Sequence, residues 1–237
     1  VGAVERRQLW DKGWQDALDA YSANPVEDSL IPKFIRPGLP LRWQQQFVQP
    51  ADPWAELAFC RHMHGLLARQ FENCDSVHEF GCGTGFNMVG MAKHLPEMPF
   101  VGYDFAEPAV RLVREAGEAL NLSLFANGFD LTAPSGRLPP DAGVLTFGAL
   151  EQVPDRFRLF IDWLVENKPA VVVHVEPVPE LLDDSNLVDW ISLRFMEKRG
   201  YTHGLLPYIQ QHSGIEVLHV ERSYFGSMMM ESYAKIV

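Results

Sequence analysis

The sequence predicts an α/β protein built on a doubly wound, mostly parallel sheet. Residues 77–80 have the pattern of a short buried strand, and residues 86–94 have the apolar periodicity of a helix. A second strand is predicted at residues 100–103 and ends in Asp104. Three glycines stand at every second position after the first strand: Gly81, Gly83 and Gly85. A strand, a glycine turn, a helix and a second strand form the first unit of a nucleotide-binding sheet.

The glycines and the acid have physical reasons to stand where they do. A tight turn needs backbone angles that glycine reaches cheaply, and a missing Cβ lets the backbone touch a ligand. The start of the following helix offers unpaired N–H groups to that ligand. Asp104, at the carboxyl end of the second strand, is placed to accept hydrogen bonds from ribose hydroxyls.

The spacing of these residues distinguishes between classes of nucleotide ligand. A dinucleotide fingerprint has a third glycine where this chain has Phe86. The pattern here is an acid, Glu79, followed by the three alternating glycines, and it resembles the first motif of class I S-adenosylmethionine-dependent methyltransferases. Asp104 matches the acid that this family has at the end of its second strand. The resemblance implies a Rossmann-like fold, an enzyme and S-adenosylmethionine as cofactor, and its sharp motifs cover residues 79–104.

The remaining elements follow the order of the same family. Helices are predicted at 54–71, 109–120, 154–167 and 187–198, and strands at 122–126, 143–148 and 170–175. Two final strands, 215–221 and 231–237, are predicted to form an antiparallel hairpin through a short connection at 225–227. An inserted antiparallel last strand is what the resemblance implies, so the likeness in element order extends over about residues 70–237.

The N-terminal region is expected to form a helical and extended arm. Residues 1–24 have helical spacing with two tryptophans, which suits a helix packed on the core or a lid over a pocket. Residues 25–53 contain six prolines but too many apolar residues for a disordered linker, so we expect an ordered wrap. We therefore divide the chain into an arm or lid, 1–53, and an S-adenosylmethionine-binding methyltransferase domain, 54–237. Arg36 and Arg42 in the arm are either surface charges or the groups that hold a carboxylate or phosphate of the cofactor or substrate.

Length and charge limit the class of protein. The 237 residues suit one domain with an appended segment, and a net charge of -11 argues against a nucleic-acid or anionic-membrane partner. The three cysteines show no metal-ligand spacing and no disulfide framework. No signal peptide or apolar run long enough for a membrane span is recognised in the sequence, and a cytoplasmic location is the simplest expectation.

Further ligand contacts are implied by the resemblance. Phe105, directly after Asp104, is placed to lie against an adenine face. In the family the loop after the third strand holds the adenine, often with an acid that accepts from its amino group. Phe129 and Asp130 stand in that loop.

Three polar residues near the ends of the fourth and fifth strands are the candidates for catalysis. His174 and Glu176 share one face of a strand, and Glu151 follows the neighbouring strand. His174 is the natural general base, with Glu176 or Glu151 to orient it. The alternatives are a histidine that caps a backbone carbonyl, an acid that leads a helix, and a divalent-metal site made by all three. We predict no metal.

These observations predict an S-adenosylmethionine-dependent methyltransferase that acts on a small polar metabolite. An oxygen of a sugar or of a nucleotide-linked sugar is the first expectation, because acids are expected at the pocket mouth. The alternatives are nitrogen or phosphate-oxygen methylation of another anionic metabolite, a nucleotide-binding module without turnover, and a dinucleotide oxidoreductase. The residues 148–151 lack the Asp/Asn-Pro-Pro-Tyr motif of amino-directed DNA methyltransferases.

Overall fold

Helices and strands alternate along the chain in the computed structural model, which describes residues 3–154, 156–231 and 233–237, with side chains from Arg7 onward. The helices are α1 (Ala3–Ala23), α2 (Ala55–Gln70), α3 (Phe86–Ala92), α4 (Glu107–Leu120), α5 (Phe157–Asn167), α6 (Leu187–Arg199) and α7 (Leu205–Gln211). The strands are β1 (Leu41–Trp43), β2 (Gln46–Val48), β3 (Ser76–Phe80), β4 (Phe100–Asp104), β5 (Leu124–Gly128), β6 (Ala142–Phe147), β7 (Val171–Glu176), β8 (Val220–Glu221), β9 (Phe225–Ser227) and β10 (Ala234–Ile236). Val1, Gly2, Asp155 and Ser232 fall in predicted elements but lie outside the described residues.

The central sheet confirms the predicted doubly wound architecture. Its strand order is β5-β4-β3-β6-β7-β10-β8; the first five strands are parallel, and β10 runs antiparallel to both of its neighbours. Numbered along the chain within this sheet, the order is 3-2-1-4-5-7-6. The chain leaves β3 toward one edge, returns, and continues from β6 toward the other edge. Ligands of such sheets bind at this switch point, beyond the carboxyl ends of the strands.

Apolar layers cover both faces of the sheet. One layer contains residues of α1, α2, α3 and α4, among them Leu18, Leu67, Met88 and Leu112. The other contains α5 and α7 and includes Phe157, Phe160, Ile161 and Ile209. β6 is buried along nearly its whole length, as a strand in the middle of a parallel sheet must be. The predicted helices therefore pack on the two faces and leave the carboxyl edge to loops.

The N-terminal arm is ordered and is hydrogen-bonded to distant parts of the chain. After a 3₁₀ turn at Glu27–Leu30, β1 pairs antiparallel with β2 on one side and with β9 on the other. The carbonyl of Leu30 accepts a hydrogen bond of 2.6 Å from the Thr84 hydroxyl, inside the glycine turn. The arm thus joins both the turn and the C-terminal segment.

Two features of the C-terminal region differ from the sequence prediction. Residues 225–227 are strand β9 of the second sheet, not a hairpin connection, although β8 and β10 do pair antiparallel as predicted. The Phe225 ring stacks on Phe59 at 4.0 Å, and this packing holds a strand too short to show periodicity. Helix α7 was not predicted, because its seven residues follow a Gly-rich turn and include a proline.

A buried ion cluster fastens the arm to helix α6. Arg42 on β1 is fully buried; its Nη2 lies 3.0 Å from Asp189 Oδ1, and its Nη1 donates to Ser192 Oγ. Arg222 also donates to Asp189, at 2.7 Å, and to Glu231, at 2.7 Å. Two guanidinium groups thus neutralise two carboxylates out of water. The structure gives Arg42 this role rather than the predicted contact with a ligand, because no part of its side chain is accessible.

Arg36 lies elsewhere on the arm. It is exposed, and its Nε donates to the backbone carbonyl of Lys33 at 3.0 Å. It is not among the residues that line the cleft described below.

Replacing Arg42 by methionine is expected to lower the free energy of unfolding by about 3–5 kcal/mol, because removing one member leaves excess carboxylate charge buried. Arg36→Met is the matched control and should change it by less than about 0.5 kcal/mol. Urea unfolding of both variants measures the difference. Equal stabilities would contradict the role of the ion cluster.

Candidate functional site

A cleft of about 650 Å³ lies at the switch point of the sheet, where the sequence predicted a ligand site. Each of the strands β3, β4, β5 and β6 contributes a loop to its wall. The lining residues include Gly81, Asp104, Phe105, Phe129, Asp130, Gly148, Ala149, Gln152, Arg156 and Tyr201 from the sheet side, and Arg7, Trp10 and Trp14 from α1. A volume of several hundred Å³, in the range of about 300–1,000 Å³, is typical of small-molecule sites.

Asp104 is held rigidly at the edge of this cleft. Its side chain is only 5% exposed; Oδ2 accepts from Gly83 N at 3.1 Å and Oδ1 accepts from Ala106 N at 3.0 Å. Burial raises the pKa of Asp104 to about 6, against the opposing effect of these backbone N–H groups. The carboxylate is therefore ionised at neutral pH and oriented to accept further hydrogen bonds.

The glycine turn is confined between two packing neighbours. Gly81 has φ +78°, and a Cβ there would overlap the Ala149 methyl group in the loop after β6. Gly83 has φ +51°, and a Cβ there would lie 2.8 Å from the Trp14 ring of α1. Gly85 begins α3, where a Cβ would contact Val113. Of the three glycines, Gly81 lines the cleft, and Gly83 lies beneath Trp14.

Glu79 supports the turn from below. It is buried on β3, and its Oε1 accepts from Asn87 Nδ2 at 2.8 Å. Its Oε2 has no hydrogen-bond partner among the described residues. Burial raises the pKa of Glu79 to about 8, so the group is mostly protonated at neutral pH. Glu79 does not line the cleft itself.

Helix α1 closes one side of the cleft. The Arg7 guanidinium lies 4.5 Å from the centre of the Phe105 ring, and Arg7 Nη1 lies 2.7 Å from Asp130 Oδ2. Trp10 and Trp14 stack on each other with ring centres 5.3 Å apart. Arg7, Trp10 and Trp14 therefore line the cleft. The sequence predicted the two tryptophans as part of a packed helix or a lid, because helical periodicity marks an apolar face without saying what it covers. It gave no signal for Arg7, a charged residue that is not part of the apolar pattern.

Phe129 and Asp130 lie on the far wall. The Phe129 ring packs against Tyr103 and Trp163, with centres 5.7 Å and 5.3 Å apart. Although burial acts in the opposite direction, hydrogen bonds from Thr132 and Arg7 lower the pKa of Asp130 below its ordinary value. Phe105, Phe129 and Asp130 are thus brought together with Asp104 around one cavity.

Glu176 and Glu151 lie behind the cleft rather than in its wall. Glu176 accepts backbone N–H groups of Ala149 and Leu150 at 3.1 Å, and so holds the loop after β6. Burial raises the pKa of both acids. The charge of Glu176 raises the pKa of Glu151 further, whereas the backbone N–H groups of Ala149 and Leu150 act against the rise at Glu176. Glu151 Oε1 also accepts from Gln152 Nε2 at 3.1 Å, and Gln152 does line the cleft.

His174 is not brought to the cleft. It lies inside β7, two residues before the end of the strand, and its Nδ1 is 2.9 Å from Thr146 Oγ1 on β6. Its ring lines a separate cavity beside α5 and α7. Burial lowers the pKa of His174 to about 4. We expected His174 to meet the ligand because it lies near the end of β7. Its side chain instead points to the face of the sheet that α5 and α7 cover.

Two features are absent from the described residues. No group of three or more histidine, cysteine, aspartate or glutamate side chains is arranged to hold a metal ion, including the trio His174, Glu176 and Glu151. No helix in the same part of the chain is long and apolar enough to cross a membrane.

Known proteins resemble this chain in fold but not detectably in sequence family. No family model and no curated protein matches the sequence. Among solved structures, a Burkholderia thailandensis protein of the O-methyltransferase family is 16% identical, with a TM-score of 0.57 over 77% of this chain and 56% of that one. The magnesium protoporphyrin IX methyltransferase of Synechocystis PCC 6803, with bound S-adenosylhomocysteine, has 16% identity and a TM-score of 0.56 over 77% and 83% of the two chains.

The chain has the fold of class I S-adenosylmethionine-dependent methyltransferases. The [4+2]-cyclase SpnF is similar as well, at 16% identity and a TM-score of 0.62, over 92% of this chain and 76% of that one. The chain spans little more than half of the Burkholderia protein. Because different reactions occur on this fold, the fold by itself does not decide the reaction.

Replacing Gly83 by alanine is expected to lower the free energy of unfolding by about 1–3 kcal/mol, because the added methyl group meets Trp14 and the backbone has positive φ. Gly13→Ala makes the same chemical change inside α1, where no atom lies within 4 Å, and should stabilise the protein by up to about 1 kcal/mol. Denaturant unfolding followed by tryptophan fluorescence compares them. A neutral Gly83→Ala variant would contradict the packing of α1 on the turn.

Proposed function

We propose that the chain binds S-adenosylmethionine in the cleft and transfers its methyl group to a small molecule. The observation that carries this proposal is the convergence of Gly81, Asp104, Phe105 and Asp130 on one cavity from the ends of three neighbouring strands. These groups come from separate stretches of sequence. Their convergence supports the roles that the motif implies for them, at the site where such sheets bind nucleotides.

The residues present fit the cofactor. The ionised Asp104 would accept the two ribose hydroxyls, and its backbone contacts already hold it in place. Phe105 and Phe129 would lie against the adenine, and Asp130 would accept from the adenine amino group. The Gly81 backbone would approach the methionine part, with Gly83, Gly85 and Glu79 supporting the turn. The bound cofactor would supply an electrophilic methyl group on its sulfonium.

Binding requires one local rearrangement. Arg7 lies over Phe105 and is paired with Asp130, the two residues assigned to the adenine. Arg7 is about half exposed, and an exposed ion pair contributes no more than about 1 kcal/mol, so an incoming ligand can displace it. Movement of the first turns of α1 would then admit the cofactor, and α1 would close over it afterwards.

The acceptor would lie between α1 and the loops after β6 and α6. Trp10, Tyr201 and Val153 give this part of the cleft apolar walls, and Gln152 and Arg156 give it polar groups. Methyl transfer is a direct displacement, so the main task of these residues is to align the acceptor atom. Glu151 and Glu176 act as positioning residues, because they hold Gln152 and the loop after β6. His174 lies too far inside the sheet to take a proton from this acceptor.

We further propose that the acceptor is a small metabolite methylated on oxygen. The sugar hypothesis rested on an acid-lined pocket mouth, but Glu151 and Glu176 point into the protein. An acceptor with a flat apolar part and a hydroxyl or carboxylate group fits the tryptophan wall and Arg156 better. An anionic acceptor, methylated on nitrogen or phosphate oxygen, fits the same arginine.

A second candidate is a reaction or binding role without methyl transfer. It is favoured by the similarity of this chain to the [4+2]-cyclase SpnF over 92% of its length. The walls of the cleft would then enclose the substrate of another reaction beside the bound nucleoside.

Asp104→Asn is expected to weaken S-adenosylhomocysteine binding about tenfold or more, because the hydroxyls lose a charged acceptor. In the natural protein the affinity should rise from about pH 5 to about pH 7, since only the ionised Asp104, with its pKa of about 6, accepts both hydroxyls. The variant should lose this step. Calorimetry at several pH values measures both effects.

Asp141→Asn is the control for charge, because Asp141 is exposed and does not line the cleft, and asparagine tolerates its positive φ. It should bind like the natural protein. Unchanged affinity of Asp104→Asn would remove Asp104 from the nucleoside site.

Methyl transfer is tested by incubating the protein with methyl-labelled S-adenosylmethionine and the small-molecule fraction of a cell extract. We expect a labelled product and one equivalent of S-adenosylhomocysteine for each methyl transferred, both reduced in Asp104→Asn. Mass spectrometry identifies the product and the methylated atom. Tight S-adenosylhomocysteine binding with no labelled product from any fraction would favour the second candidate.

A further inference from the structure

A second cavity, which the proposed function does not use, lies between strands β7 and β10 and helices α5 and α7. It has a volume of about 440 Å³ and shares no lining residue with the cleft. Its walls come from α5, α7, β7, β10 and the segment 214–218. They are mainly aliphatic and include Ile161, Leu164, Val172, Ile209, Ile215 and Ile236.

One buried polar side chain interrupts these apolar walls. His174 is 4% exposed and lines the cavity, while its Nδ1 is occupied by Thr146 Oγ1 at 2.9 Å. Among the described residues, no group forms a hydrogen bond with its Nε2. The charged residues Lys168 and Glu216 also border the cavity, but both are exposed at its mouth and carry opposite signs. Of the side chains that line the cavity among the described residues, His174 is therefore the buried polar one, and its Nε2 is open to a ligand.

The protons along this buried chain can be assigned. Glu176 is an acceptor for the backbone N–H groups of Ala149 and Leu150, and the nearby Thr146 hydroxyl lowers its pKa, as a donor does. We assign the one proton of this hydroxyl to Glu176, so that Thr146 Oγ1 accepts from His174, whose Nδ1 then carries the hydrogen. Because burial lowers the pKa of His174 to about 4, the ring is neutral. Its Nε2 is therefore a lone-pair acceptor that faces the cavity.

We propose that this cavity binds an apolar small molecule that donates one hydrogen bond, from a hydroxyl or N–H group, to Nε2 of His174. The aliphatic walls supply the affinity for the apolar body, and the imidazole selects a donor over an acceptor. Opposite charges at the mouth give no preference for an ionic ligand. Because the cavity shares no lining residue with the cleft, a ligand can bind there without the cofactor.

The test compares 1-naphthol with 1-methylnaphthalene, which has nearly the same shape but a methyl group in place of the hydroxyl. Both are titrated into the full chain and followed by backbone-amide NMR. We expect shifts at residues 161–172 and 209–218, and about 3- to 10-fold tighter binding of 1-naphthol, the usual effect of one net hydrogen bond. Equal affinities, or shifts confined to the cleft, would overturn the proposal.

Two variants separate the parts of the site. His174→Phe removes the acceptor and should bring the affinity ratio of the two compounds to about one. Val217→Trp fills the cavity without touching the bond between His174 and Thr146, and should abolish the binding of both compounds. Leu187→Trp is the control, because Leu187 is exposed on α6 and lies outside the cavity, and it should bind both normally. Retained binding in Val217→Trp would overturn the proposal even if His174→Phe fails to fold.

Discussion

The narrow space around the turn after β3 constrains the rest of the site. A side chain at Gly81 would collide with Ala149, and one at Gly83 would collide with Trp14. The turn therefore lies in contact with both the loop after β6 and helix α1, and these two elements form opposite walls of the cleft. Because these two glycines have no Cβ atom, the loop after β6 and helix α1 can both pack directly on the turn, although they are far apart in sequence.

Buried carboxyl groups around this turn are distinguished by their backbone partners. Asp104 and Glu176 each accept two or more backbone N–H groups, which act against the rise in pKa that burial causes. Glu79 and Glu151 are equally buried and have fewer such donors. Burial raises the pKa of Glu79 to about 8, and burial together with the charge of Glu176 raises the pKa of Glu151. Of these four acids, Asp104 is the one that lines the cleft.

The N-terminal region belongs to the same structural unit as the site. Its helix supplies a wall of the cleft through Trp10 and Trp14, and Leu30 is bonded to Thr84 in the glycine turn. The following strand β1 pairs with β9, and Arg42 is buried against α6. The arm therefore contacts the glycine turn, the C-terminal segment and helix α6, and it forms one wall of the cleft.

The sequence by itself determined the central architecture and the position of Asp104 at the edge of the cleft. Strands, helices and the glycine turn are set by local periodicity and local backbone preference, and Asp104 follows its strand directly, so their places could be predicted. Side-chain direction could not be predicted, because it depends on contacts between distant residues. Only the tertiary structure decided that Arg42 is buried with Asp189, that His174 faces a second cavity, and that Arg7 and the tryptophans cover the cleft. The three-residue strand β9 was decided in the same way, since its register comes from its pairing with β1 and not from any pattern of its own.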